Sequence, residues 1–179
     1  MKLKKFKFKK VKSTNNTAIR IIKSLNIKSG VIFTQSQYKG RGQYGRKWIS
    51  YKDNLHVSFF YTLENIDLSI DKLTRINCLL VKKLISKYYK KKIFYKKPND
   101  LLINQKKVCG ILQETINKFG KKYLIVGIGI NLNKSPKIRN YPTTNLNKLL
   151  NKKISKKKIE NEIKKIFQNE LPKFYKLNR

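Results

Sequence analysis

Apolar residues recur along this chain with two periods, and the switches between them mark out its elements. Residues 5–11 alternate lysine with Phe6 and Phe8 before Val11, which predicts an edge strand whose open side is guarded by charge. Ser13-Thr14-Asn15 offers N-cap chemistry, and Ala18, Ile21, Ile22 and Leu25 follow at helical spacing to an end at Lys28-Ser29-Gly30. Val31–Thr34 predicts a short strand, and Leu55–Leu63 a second, rich in aromatics. The clearest helix opens at Ser69. Ile70, Leu73, Asn77, Leu80, Val81, Leu84, Ile85 and Tyr88 mark one face, with Glu64, Asp67 and Asp71 near its positive end.

The second half returns to strands. Ile93–Lys96 is short and stopped by Pro98, while Leu101–Asn104 and Val108–Thr115 predict a hairpin around Asn104-Gln105-Lys106. Tyr123–Leu132 is the most apolar strand and carries Gly127 and Gly129. From Ser155, residues Ile159, Ile163, Ile166, Phe167 and Leu171 fit a terminal helix with Pro172 near its end. Helices mixed with antiparallel strands predict an α+β fold. The chain has 179 residues, no internal repeat and no dividing linker, so one domain with a proper core is expected over 1–179.

Charge changes the picture less than its size implies. The formal net charge is +35, from 44 basic residues against nine acids. The positive residues are almost all lysine, spread end to end beside abundant Asn and Ile. That pattern reads as a compositional bias with solvated side chains, not as a patch built for nucleic acid. Cys78 and Cys109 lack metal spacing and sit in apolar runs, which predicts free buried thiols. His56, the single histidine, has no histidine partner for a metal cluster. No apolar run reaches membrane-span length, and the basic start lacks a signal peptide's apolar core. A cytoplasmic protein is expected.

Candidate chemistry centres on Gly40-Arg41-Gly42-Gln43-Tyr44-Gly45-Arg46-Lys47-Trp48. Three glycines in six residues permit positive φ and close approach to a ligand. Two of the chain's six arginines lie here, and their planar forks grip carboxylate or phosphate bidentately. With Trp48, the only tryptophan, the stretch predicts a mobile cover for an anionic ligand with some apolar area. It is neither a dinucleotide fingerprint nor a Walker loop.

Four further clusters stand beside it. Lys96-Lys97-Pro98-Asn99-Asp100 is a polar turn in which Asp100 can hold a cation or simply close an Asx turn. Lys106-Lys107-Val108-Cys109-Gly110-Ile111-Leu112 roots a lysine at a strand beside a glycine. Gly127-Ile128-Gly129-Ile130-Asn131 permits a flat ligand against the backbone, and Ser13-Thr14-Asn15 suits either a helix cap or a small polar ligand.

In this order the clusters, with Gln37 and Asn54-Leu55, resemble the catalytic domain of biotin protein ligases over roughly residues 10–135. The resemblance implies a central mixed, largely antiparallel sheet with flanking helices, the class II aminoacyl-tRNA synthetase-like fold shared with lipoate ligases. It implies ATP and biotin as substrates with Mg²⁺, a biotinyl-5'-AMP intermediate, and transfer to a lysine of a biotin carboxyl-carrier domain, commonly that of acetyl-CoA carboxylase. Ser13, Thr14, Asn15 and Gln37 would then contact biotin. Gly40, Arg41, Gly42 and Gln43 would close over the intermediate, and Lys107, beside Gly110, would face the reacting carboxylate and α-phosphate. Arg46, Trp48, Asn99 and Asn131 would serve the nucleotide, and Asp100 the Mg²⁺.

Two positions depart from the family pattern. Gln43 stands where many members have Arg, and Lys97 where many have Trp. The twelve residues before Ser13 are too few for the helix-turn-helix domain of some members, and the C-terminal β-barrel is not expected either. Sequence-specific DNA binding and membrane association are therefore not expected, and oligomeric state stays open, a homodimer included. The alternatives are a lipoate or octanoate ligase or transferase of the same fold, a decayed ligase that turns over slowly, and a basic nucleic-acid-binding protein without catalysis.

Overall fold

Seven stretches of the chain, some alternating apolar with polar residues and the central ones largely apolar, pair into one sheet, and where apolar residues recur every three or four the chain forms helices that cover it. A computed structural model describes residues 2–64, 66 and 68–176, with side chains through 173. In chain order the elements are β1 (Lys4–Val11), α1 (Thr14–Ser24), β2 (Ser29–Gln37), β3 (Leu55–Thr62), α2 (Ile70–Ser86), β4 (Phe94–Lys96), β5 (Asp100–Ile103), β6 (Lys106–Lys118), β7 (Lys121–Ile130), α3 (Leu146–Leu150) and α4 (Lys156–Lys176). The seven strands lie in the order β1-β2-β3-β7-β6-β5-β4. β1 and β2 run parallel and every other neighbouring pair is antiparallel. The α+β expectation holds, and β1 is indeed an edge strand.

Side-chain alternation sorts each strand between two cores. Phe33, Val57, Phe59, Val126 and Ile128 join the larger core with α2 and α4. Phe59 stacks on Phe167 of α4, with ring centroids 3.9 Å apart and planes 4° from parallel. The opposite face carries Ile32, Phe60, Tyr123 and Ile125, which meet Ala18, Ile21 and Ile22 of α1. β3 is therefore buried continuously over 55–61, because both its faces are covered.

Other expectations shift at the edges. α1 ends at Ser24, and Ser29-Gly30 opens β2 rather than closing the helix. Gly30 is a packing position: a Cβ there would lie 2.5 Å from the Phe60 ring. The hairpin at 104–105 forms with both Asn104 and Gln105 at positive φ, as a two-residue turn between twisted strands requires. β6 runs on to Lys118, beyond Thr115, and the short α3 had no expectation. Ser69 caps α2 through Lys72 N at 3.3 Å. Glu64 turns instead to Lys121, 2.6 Å away, and Asp67 lies outside the described residues. Among the described residues no helix is long and apolar enough to cross a membrane. Both cysteines are free and buried.

His56 lies within this framework, only 1% exposed, with Nε2 2.9 Å from the Tyr51 carbonyl oxygen. Burial lowers its pKa from 6.5 to about 4. The unfolded chain therefore takes up a proton that the folded chain refuses, so stability is full above 6.5 and falls as pH drops toward 4. The loss expected from this residue is about 3 kcal/mol at the acid end. Urea unfolding from pH 7.5 to 4 checks this, and His56→Gln is expected to flatten the slope.

Candidate active site

The cavity exists because two strands run out of side chains on one face. Along β7, Tyr123 and Ile125 pack against α1, and the next two positions on that face are Gly127 and Gly129. Gly110 of β6 lies directly opposite Gly129. The bare backbone is a floor, and two side chains rest on it. A Cβ at Gly127 would stand 2.3 Å from Asn15 Oδ1, and one at Gly129 would stand 2.2 Å from the Trp48 indole. Trp48 also overlies Gly110, with Cζ3 2.9 Å from where a Cβ would be. The space over Gly127 and Gly129, read as room for a flat ligand against the backbone, is taken by Asn15 and Trp48 of the chain itself. The cavity above has a volume of about 700 Å³.

One end is built from the start of α1 and the end of β2. Ser13, Thr14, Asn15 and Gln37 all line the cavity. The Ser13 hydroxyl does not cap the helix. Gln37 replaces it, its Oε1 accepting from Thr14 N at 2.7 Å and from Thr14 Oγ1 at 3.1 Å. Asn15 Oδ1 accepts from Ser58 Oγ at 2.6 Å, while Nδ2 donates to Leu112 O at 3.2 Å and Glu114 Oε2 at 2.8 Å. These bonds fix the amide's orientation.

The glycine loop forms a small hairpin over the cavity. Trp48 N donates to Gly40 O at 3.0 Å and Gly42 N to Arg46 O at 2.6 Å. Positive φ falls on Gly45 (72°) and on Tyr44 (53°), not on all three glycines. Gly40 is needed for a different reason: a Cβ there would meet the Trp48 carbonyl oxygen at 2.6 Å. It lies buried at the loop's root and does not line the cavity, whereas Arg41, Gly42, Gln43, Arg46 and Trp48 do. Arg41 Nη2 meets both oxygens of Glu114, at 2.8 and 2.6 Å.

Across the cavity stands a lysine boxed by a carboxylate and two aromatic rings. Lys107 Nζ is 2.8 Å from Asp100 Oδ1 and 5.5 Å from the ring centroids of both Trp48 and Tyr141. Tyr141 OH donates to Asp100 Oδ2 at 2.6 Å. Burial, and then the Asp100 carboxylate, push the Tyr141 hydroxyl well up, so it stays a donor. Asp100 is thereby the counter-ion of Lys107. Both its oxygens are taken, one by an ammonium, and among the described residues no three His, Cys, Asp or Glu side chains gather to hold a metal. As arranged, Asp100 does not fit the Mg²⁺ role expected of it.

Lys97 and Asn99 complete this wall. The turn that carries them has Lys97 where the resemblance implies a tryptophan, and hydrogen bonds hold it instead. Tyr95 OH donates to Pro98 O, Asn99 Nδ2 to Ile111 O, and Ile111 N to Asn99 O.

Asn131 touches the cavity, yet its amide is spent elsewhere, donating to Thr144 O at 3.1 Å and lying 3.4 Å from Asn54 Nδ2. Its side chain braces segment 142–144, which clamps the Lys107 backbone through Lys107 N to Pro142 O and Thr144 N to Lys107 O, both 2.9 Å. Asn54, fully buried, is the centre of this bracing. Its Oδ1 accepts from the backbone N–H groups of Leu132, Asn133 and Lys134 at 3.0–3.2 Å.

Sequence reasoning missed Tyr141 and the rest of the 136–143 loop, and it left Glu114 without a role. Glu114's scarcity as an acid was the available signal; nothing in the pattern marked Tyr141. Asn54→Ala leaves three backbone donors without their acceptor and is expected to cost about 3 kcal/mol in urea unfolding. Asn54→Asp, which keeps the acceptor oxygen, is expected to recover part of that loss.

The family model described as "Biotin/lipoate A/B protein ligase family" matches residues 7–133. The chain is 34% identical over 125 residues to the bifunctional ligase/repressor BirA of Escherichia coli (strain K12), covering 68% of this chain and 38% of that protein. It is 29% identical over 127 residues to the biotin--[acetyl-CoA-carboxylase] ligase of Paracoccus denitrificans, covering 69% of this chain and 52% of that one. The structure of biotin protein ligase from Aquifex aeolicus in complex with biotin and ATP superposes with a TM-score of 0.81 at 30% identity, over 97% of this chain and 72% of that one. The chain thus spans from about a third to a half of the length of these two sequence relatives. A family match over most of the chain, on the residues that build the glycine floor and its two flanking cations, makes this protein a member of the biotin/lipoate A/B protein ligase family.

Proposed function

We propose that this chain activates biotin with ATP to biotinyl-5'-AMP and transfers the biotinyl group to a lysine of a biotin carboxyl-carrier domain, of the kind found in acetyl-CoA carboxylase. The observation that carries the reading is the placement of Arg41 and Lys107 on one cavity that Ser13, Thr14, Asn15, Arg46 and Lys97 also line.

The chemistry sets the demand. A biotin carboxylate oxygen attacks the α-phosphorus of ATP, the bond from that phosphorus to the bridging oxygen breaks, and pyrophosphate leaves. Two anions must meet, and negative charge builds on the phosphorus oxygens. Lys107, held by Asp100 and two rings, supplies a fixed positive charge for this step, and Arg41 supplies a second. The carrier lysine, as its free amine, then attacks the carbonyl carbon of the mixed anhydride. AMP departs with the electron pair of the broken bond, and the amine loses a proton. The glycine loop and Trp48 exclude water from the anhydride meanwhile.

Gln43 leaves the loop one cation short of the family pattern, which favours easier loss of the adenylate. The buried free thiols of Cys78 and Cys109 are consistent with work in a reducing cytoplasm.

The deciding measurement is biotin-dependent exchange of labelled pyrophosphate into ATP, with lipoate and octanoate as parallel acids. Exchange is expected with biotin, falling on the order of 10²–10³-fold in Lys107→Ala. Exchange with lipoate or octanoate in place of biotin moves the chain to the lipoate branch. Absence with every acid, together with steeply salt-dependent RNA binding, returns it to a basic nucleic-acid binder. A second measurement is release of biotinyl-5'-AMP, expected to slow in Gln43→Arg.

A further inference from the structure

Glu114 is one of only nine acids in the chain, and it stands behind the cavity wall, not on it. It nonetheless reaches two wall residues at once. Arg41 Nη2 donates to Oε1 at 2.8 Å and to Oε2 at 2.6 Å, and Asn15 Nδ2 donates to Oε2 at 2.8 Å. Asn15 is itself fixed to the floor, over Gly127 and bonded by the Ser58 hydroxyl of the neighbouring strand. One carboxylate on β6 therefore ties the glycine loop, 73 residues away in sequence, to the immobile polar end of the cavity.

We propose that Glu114 is a positioning residue that fixes Arg41 relative to Asn15 and so sets how the glycine loop covers a bound acyl-adenylate. The identity of that ligand rests on the function proposed above; the coupling of Glu114 to the loop does not. The chemistry suits the role. The contacts use Nη2 alone, so the rest of the five-donor guanidinium remains able to grip an anion while Glu114 holds it. Both side chains keep some solvent exposure, 39% for Arg41 and 24% for Glu114, so the pair adjusts to a ligand at modest desolvation cost. The position of Arg41 is transmitted along the loop by its bridge to Lys47 and by the bond from Trp48 N to Gly40 O.

Trp48 is the only tryptophan, so its fluorescence reports the loop without any need for turnover. Glu114→Gln keeps an oxygen for Asn15 and removes the charge that holds Arg41. Acrylamide quenching of Trp48 in the purified protein is expected to rise about twofold or more in Glu114→Gln, and equally in Arg41→Gln, as the loop loses its tether. Release of biotinyl-5'-AMP is expected to quicken on the order of tenfold in Glu114→Gln and further in Arg41→Gln, which also loses the guanidinium that grips the anion, while the double variant matches Arg41→Gln because the tether is already gone. Unchanged quenching in both single variants overturns the proposal, and so does a double variant whose release rate is the product of the two single effects. If the wild-type protein shows no biotin-dependent exchange, the functional reading fails on its own, and the quenching comparison still decides the tether.

Discussion

The site depends on a patch of sheet without side chains. Gly110, Gly127 and Gly129 fall on the one face of the β6–β7 pair where, two and four residues before Gly127, Ile125 and Tyr123 fill the space under α1. Strand alternation makes this a strict requirement, since any Cβ added at 127 or 129 enters Asn15 or Trp48. The same strands have a second face that is fully packed against α2 and α4, so the floor cannot yield downward. A rigid bare floor follows from that asymmetry between the two faces.

Charge is arranged against the grain of the composition. With 44 basic residues and nine acids, most cations have no partner among the chain's own carboxylates. Arg41 and Lys107, the two cations that flank the floor, each have one, Glu114 and Asp100. In a half-buried cavity a carboxylate does more for geometry than for net stability, because it fixes a long flexible side chain in one place. The aromatic faces of Trp48 and Tyr141 do the same for Lys107 from two further directions. The remaining lysines are mostly solvated, which is why +35 says little about what the cavity binds.

Much of this was readable from the chain. The strand and helix pattern, the α+β class and the stretches that meet at the cavity all follow from local periodicity and from glycine, proline and arginine placement. Where the reading slipped, a longer-range contact had overruled a local signal. Gly30 looked like a helix stop and is a seat for Phe60. Ser13 looked like a cap, and Gln37 from β2 does that work. Asp100, read as able to hold a cation, holds the Lys107 ammonium, and Asn131 lines the cavity while also bracing Thr144.

By itself the sequence determined which segments are strands and helices, which faces are apolar, and which residues are able to grip anions, because those properties depend on spacing along the chain and on side-chain type. Only the tertiary structure decided which cation sits on which acid, that Asn54 gathers the turn after β7, and that Tyr141 joins the wall around Lys107. The reason is physical. Partners such as Arg41 and Glu114 lie far apart in sequence and meet only when β6 is laid beside β7 and the loop folds back over both. Spacing carries no record of such a meeting; the register of the sheet creates it.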